Sequence, residues 1–161
     1  MYRKGHVGLS LLIFPLLFIP FGVTYLTLTF LGFSVAFSTF PDWDQKWDIK
    51  HRAYTHNIGF GLLSGIIIGF TFGYFFGLYV GILIFSAVLA GVMSHLLGDI
   101  IAEQNIDGTP WKIKPFQPFS DNAVGYGIVK ALNENVNKSF LVVWAIVFFG
   151  VFEVRNCIKK L

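Results

Sequence analysis

Charge is scarce in this sequence: Asp, Glu, Lys and Arg make up 13% of its 161 residues, about half the roughly 25% of an ordinary soluble domain. So few charges cannot furnish the polar surface of a water-exposed globule. Cysteine is nearly missing as well, and Cys157, standing alone, excludes an intrachain disulfide. Internal repeats and low-complexity tracts are absent, and so is any block of like charge. The 12 basic and 9 acidic residues leave a net charge of +3 and interleave, as at Lys46, Asp48 and Lys50. That pattern argues against a nucleic-acid partner and fits contact with anionic lipid headgroups.

What fills the chain instead is apolar, at 55% of residues. Apolar runs over 58–76, 78–97 and 140–154, the last interrupted only by Glu153, approach or exceed the ~18 residues that mark a transmembrane helix. The run 7–40 is too long for one span, and Pro15, Pro20 and Gly22 place turn chemistry inside it. We expect two spans there, about 5–19 and 22–40, the first short enough to be tilted or part of a re-entrant hairpin. A second hairpin follows, with spans at about 57–76 and 78–98 turning near Phe76-Gly77, and a last span at about 139–155. The polar stretch 103–138, with Pro110, Pro115 and Pro118, reads as an extramembrane segment. No A-x-A-like site marks a cleavable signal peptide. The expectation is an all-α polytopic membrane protein of about five transmembrane helices. It would form one integral membrane domain over 1–161 with no soluble domain before or after it.

The polar residues that remain are concentrated in islands at the ends of these runs. They are Lys4-Gly5-His6, Pro41-Asp42-Trp43-Asp44, His51-Arg52-Ala53-Tyr54-Thr55-His56, and His95-Leu96-Leu97-Gly98-Asp99. Five alternating spans bring every island to the same membrane face, which predicts a metal site there. Most Lys and Arg fall on that side, among them Arg3, Lys4, Lys46, Lys50, Arg52, Lys112, Lys114, Lys130 and Lys138, against Arg155, Lys159 and Lys160 opposite. By the positive-inside rule the site face is cytoplasmic.

His95 and Asp99 stand at i and i+4, one helical turn apart, a spacing that suits one ion. Pro41 pulls Asp42 and Asp44 away from helix, and an extended strand would point both carboxylates the same way. His51 is expected in the loop and His56 in the first helical turn. Imidazole with carboxylate suits zinc first, with manganese or iron also admitted. Up to four His and three Asp are enough for one or two divalent ions, and two-metal sites suit phosphoester hydrolysis. The Arg52 guanidinium matches a phosphate by its planar fork. Each group alone has an ordinary explanation. Asp42 and Asp44 suit helix caps and turns, Arg52 suits a membrane anchor, and Trp43, Trp47 and Trp111 suit an interfacial aromatic belt. Their conjunction on one face favours a metal.

In order and spacing these islands resemble the YdjM-like membrane-bound metal-dependent hydrolases, with the PD-x-D and HR-x-x-TH pair as the specific part. The stretch from Gly108-Thr109-Pro110-Trp111 to Pro118-Phe119-Ser120 is also similar to that family's segment ending in Trp-Pro-Phe. The resemblance spans most of residues 5–120. It implies a small inner-membrane helical protein with metal ligands His6, Asp42, His56, His95 and Asp99, joined by His51 and Asp44. The family's hydrolase name rests on similarity to zinc-dependent phospholipase C-like enzymes. The chain departs from the pattern at Gln45, where members often carry His, and at Ala53, where they often carry Gly.

The expected activity is metal-dependent hydrolysis of a phosphoester, in a lipid headgroup or a related substrate at the membrane surface. Asp44 would orient or deprotonate water and Arg52, with Lys50 as a weaker candidate, would hold the phosphate. Segment 103–138 would cap the site, with Trp111 and Phe116 at headgroup depth. A divalent-metal transporter or sensor is the rival from another class, but a transporter usually places its site near the midplane rather than at span ends. A structural protein whose metal locks the helix ends is the third reading. Oligomeric state is not legible.

Overall fold

The computed structural model describes residues 3–46, 54–102, 104, 107–128 and 133–158. His51 and Arg52, with Lys50 and Trp47, lie outside the described residues. Regular secondary structure among the described residues is helical, apart from two isolated antiparallel bridges.

The first helix, α1 (Arg3–Ile13), tightens into a 3₁₀ turn at Phe14–Leu17 and continues as α2 (Phe18–Phe21). Pro15 sits at the start of the 3₁₀ turn. It lacks an N–H and crowds the preceding turn, so the α-helical ladder gives way there. The whole stretch Arg3–Phe21 remains long and apolar enough to cross a membrane. After the turn at Gly22, Thr24 caps α3 (Tyr25–Phe37) in a reciprocal box with Thr27. At 13 residues, α3 reaches about 20 Å at 1.5 Å per residue, short of the ~30 Å hydrocarbon core. The chain expected to span over 22–40 therefore forms a shorter helix. The cause lies in its last turn, where the Ser38 and Thr39 hydroxyls bond back to the Val35 and Ala36 carbonyls and Pro41 then opens a 3₁₀ segment.

Asn57 caps α4 (Ile58–Phe76) by accepting from Phe60 N–H at 2.8 Å. Gly77, at φ 93°, makes the turn into α5 (Leu78–Ala102), a conformation that costs any residue with a Cβ. Among the described residues these two helices form the most extensive pair. Gly61, Gly65, Gly69 and Gly73 recur every fourth residue along α4 and face α5. A Cβ at Gly69 would stand 2.8 Å from that of Phe85, so the small residues allow the close approach common between helices in lipid. Helix α5 also meets α3 and α1, through Ser34 Oγ donating to Ala87 O at 3.0 Å and a Ser10–Ser94 hydroxyl pair at 2.7 Å.

The last helix, α6 (Glu134–Ile158), starts ahead of the expected 139 and packs on α1. With α3 too short, four helices among the described residues are long and apolar enough to span. Exposure is inverted relative to a soluble protein. Ile66, Phe70, Tyr74, Ile146 and Phe149 face outward while Ser10, Ser34, Ser38, His6, Asp42, Asp44, His56, His95 and Asp99 are buried, an outer surface that suits lipid rather than water.

Residues 107–128 fold back over one end of the bundle. Ile113 pairs with Val124 and packs onto Val92 and Leu96. Ile58 N–H donates to Pro115 O, and Tyr126 and Ile128 N–H donate to Ile100 and Ile101 O. The start of α6 joins this end, with Lys4 Nζ 4.0 Å from Glu134 Oε1. At the opposite end, beside the Gly22 turn, Arg155 donates to Phe18 O at 3.2 Å.

Candidate metal centre

Four separate stretches deliver polar side chains to the end covered by residues 107–128. Helix α1 supplies His6 and the 3₁₀ segment Pro41–Lys46 supplies Asp42 and Asp44. The approach to α4 supplies Thr55 and His56, and α5 supplies His95 and Asp99. His56 stands just before the Asn57 cap rather than in the first helical turn. His6, His56, His95 and Asp99 are at most 1% exposed, and Asp42 is 9% exposed.

The donor atoms form one compact shell. His6 Nε2 lies 3.2 Å from Asp99 Oδ1 and 3.9 Å from Asp42 Oδ2. His95 Nε2 lies 3.3 Å from Asp99 Oδ2 and 3.7 Å from Asp42 Oδ1. His56 Nε2 lies 3.4 Å from Asp42 Oδ1 and 3.5 Å from Asp99 Oδ2. Two overlapping triads, His6–Asp42–His95 and His56–His95–Asp99, each hold their donor atoms within 4.8 Å of one another. A tetrahedron with zinc-like arms of 2.0–2.1 Å has edges of about 3.4 Å, so the spacing fits one ion.

Hydrogen-bond logic fixes which ring nitrogens face that centre. His95 Nδ1 is 2.7 Å from the Ser38 carbonyl, which only accepts. Nδ1 therefore carries a hydrogen, and Nε2 is the nitrogen turned inward. The Thr55 hydroxyl is 2.7 Å from Asp44 Oδ2 and 2.9 Å from His56 Nδ1. The carboxylate also only accepts, so the hydroxyl hydrogen goes to Asp44 and His56 Nδ1–H donates to Thr55. His56 Nε2 then also faces Asp42 and Asp99. Burial holds the His56 imidazole below its ordinary pKa. Buried carboxylates that share one shell repel unless a cation stands among them. Asp42 and Asp99 carry one negative charge each, and one divalent ion cancels both. The residues present fit such an ion in number, charge and spacing.

His6 is held differently. Among the described residues its Nδ1 has no hydrogen-bond partner. Its ring stacks on His95 at 3.8 Å with 19° between planes, and it lies over Gly98, where a Cβ would come 3.1 Å from Nδ1. Gly98 thus makes room for α1 to bring its ligand onto α5.

Asp44 occupies a place that the sequence did not foresee. The expected extended segment is a 3₁₀ turn, and at ~120° per residue positions i and i+2 diverge. Asp42 enters the donor shell, whereas Asp44, fully buried, reaches the far side of the His56 ring. Ser38, Thr55 and Gly98 were not singled out from sequence. Thr55 and Gly98 lie inside the islands, but Ser38 acts through its backbone carbonyl, for which no side-chain signal exists.

The family model described as YdjM inner membrane protein matches residues 1–158. The chain belongs to the YdjM inner membrane protein family. No curated protein and no solved structure matches it. Every residue of the donor shell falls within the YdjM match. Membership in an inner-membrane family accords with four apolar helices long enough to span.

Proposed function

We propose that this protein holds one divalent ion among His6, Asp42, His56, His95 and Asp99 and uses it to hydrolyse a phosphoester at the membrane surface. The observation that carries the metal reading is two imidazole Nε2 atoms, on His56 and His95, held with Nδ1 turned outward and packed against two buried carboxylates. Zinc fits the donors best, and manganese or iron would also be accepted. When bound, the ion supplies Lewis acidity that lowers the pKa of water toward ~7 in a zinc site. Asp42 is the most exposed donor, so water and substrate would arrive on its side. Arg52, two residues past the described boundary of its island, is the proposed phosphate clamp.

A lipid headgroup is the favoured phosphoester because the donor shell lies at helix ends. The site end also carries most of the described basic residues, among them Arg3, Lys4, Lys46, Lys112, Lys114 and Lys138, with Arg155 at the other end. That bias supports a cytoplasmic site face. A second reading, a metal that only locks the bundle, is favoured by the near-complete burial of the donors, since structural metal sites are closed.

The deciding experiment measures metal content of purified protein together with release of phosphorylated headgroup from mixed-lipid vesicles. Arg52→Lys keeps the charge and loses the fork. It should retain the metal and lose one to two orders of magnitude in rate, the equivalent of one charge-assisted bond of about 1.5–3 kcal/mol. Metal-loaded wild type with no turnover across a broad lipid panel would leave the locking reading.

A further inference from the structure

Behind the donor shell, Asp44, Thr55 and His56 form a chain of contacts that binding an ion does not require. Asp44 is 0% exposed, Thr55 5% and His56 1%. We propose that Thr55 and Asp44 are positioning residues that fix His56 as an Nε2 donor, with Asp44 acting through Thr55 behind the imidazole rather than on the ion. The inference rests on the metal reading above.

Three observations carry it. The direction of both hydrogen bonds is forced, because a carboxylate cannot donate and a hydroxyl has one hydrogen. Asp44 Oδ2 lies 3.7 Å from His56 Nδ1, the nitrogen turned away from the shell, and neither donor triad includes Asp44. Helix capping does not account for Thr55. Asn57 caps α4 with its own side chain, which also donates to Tyr54 O. What remains for a buried hydroxyl between a carboxylate and a ring N–H is to set the tautomer and angle of that ring. Outer partners of this kind raise ligand basicity, and losing one typically costs 10–100-fold in metal affinity. The Ser38 carbonyl does the same for His95, but only the His56 arm ends on a charge and is open to side-chain substitution.

The test uses the full chain in detergent micelles, with Zn²⁺ affinity measured by chelator competition. The tautomer is measured by ¹⁵N NMR of histidine-labelled apoprotein, with the His56 signal assigned through His56→Gln. Wild type should bind Zn²⁺ and show His56 protonated at Nδ1. Thr55→Val should bind Zn²⁺ 10–100-fold more weakly, with unchanged stoichiometry at saturation and loss of the single Nδ1–H form. Thr55→Ser, which keeps the hydroxyl, should stay within a few-fold of wild type and keep the tautomer. Wild-type His56 protonated at Nε2 overturns the relay whatever the variants do, and needs no variant to fold. Thr55→Val binding as tightly as wild type, or Thr55→Ser failing equally, also overturns it. Wild type that binds no Zn²⁺, Mn²⁺ or Fe²⁺ removes the metal centre itself, a result distinct from either.

Discussion

The three imidazoles of the shell are fastened unequally, and the inequality has a measurable consequence. His95 and His56 each have Nδ1 committed to an orienting partner, Ser38 O and Thr55 Oγ1. His6 relies on stacking over His95 and on the space above Gly98. An unlocked ligand loses more freedom on binding and contributes less. His6→Ala is therefore expected to weaken Zn²⁺ binding about tenfold less than His95→Ala, compared by the same chelator titration. Equal losses would show that stacking orients as firmly as a hydrogen bond. Gly98→Ala tests the seat of the ring. Its Cβ would stand 3.1 Å from His6 Nδ1, so the ring must retreat by a few tenths of an ångström. The expected outcome is several-fold weaker Zn²⁺ binding at unchanged helix content, seen by titration beside circular dichroism. Unchanged affinity would mean that α1 shifts freely.

At the scale of elements, the α4–α5 hairpin is the scaffold that sets His56 and Asp99 at one height. Its seam depends on glycine where backbones meet, and glycine elsewhere supplies the control. A side chain at Gly69 would meet Phe85 Cβ at 2.8 Å and Gly81 O at 2.9 Å, whereas a Cβ at Gly32 on α3 would meet no described residue beyond its own helix backbone within 4 Å. Gly69→Val should cost roughly 1–3 kcal/mol by overpacking. Gly32→Ala should be neutral or stabilise by about 0.5–1 kcal/mol, since it removes a flexible residue from a helix. Thermal unfolding of both variants in detergent checks the contrast, and equal midpoints would mean the seam is loose. Uncharged runs and the Phe76-Gly77 turn made this hairpin legible, because length and glycine punctuation both act locally. Helix α3 was less legible. Its early stop depends on Ser38 and Thr39 turning their hydroxyls back on the helix, a choice that hydropathy does not register. The donors His6, Asp42, His56, His95 and Asp99 were all visible as residue types at span ends. The separation of Asp42 from Asp44 was not, because it follows from the turn type after Pro41 rather than from composition.

Across the whole molecule, the donor shell joins stretches that sequence keeps far apart, at residues 6, 42, 56 and 95–99. An ion there ties α1, the 3₁₀ segment, the start of α4 and the end of α5 together at one end of the bundle. The other end is tied without metal, by the Gly77 turn and by Arg155 on the Phe18 carbonyl. Binding only the folded state at 100 times the dissociation constant stabilises by about 2.7 kcal/mol. Zn²⁺ should therefore raise the unfolding midpoint by roughly 5–10 °C, and a chelator should reverse the rise. Asp99→Asn, which removes half of the carboxylate charge facing the ion, should abolish most of it. Hydrogen exchange adds a spatial reading of the same equilibrium. Removing the ion leaves the two buried carboxylates without the divalent charge between them, so amides of residues 38–46 and 94–102 should exchange faster in the apoprotein, while those flanking Gly77 should not change. Faster exchange spread evenly along α4 and α5 would mean that the ion holds the entire bundle. No change at either end, with metal loading verified, would mean that the shell keeps its geometry unaided and the ion is free for chemistry.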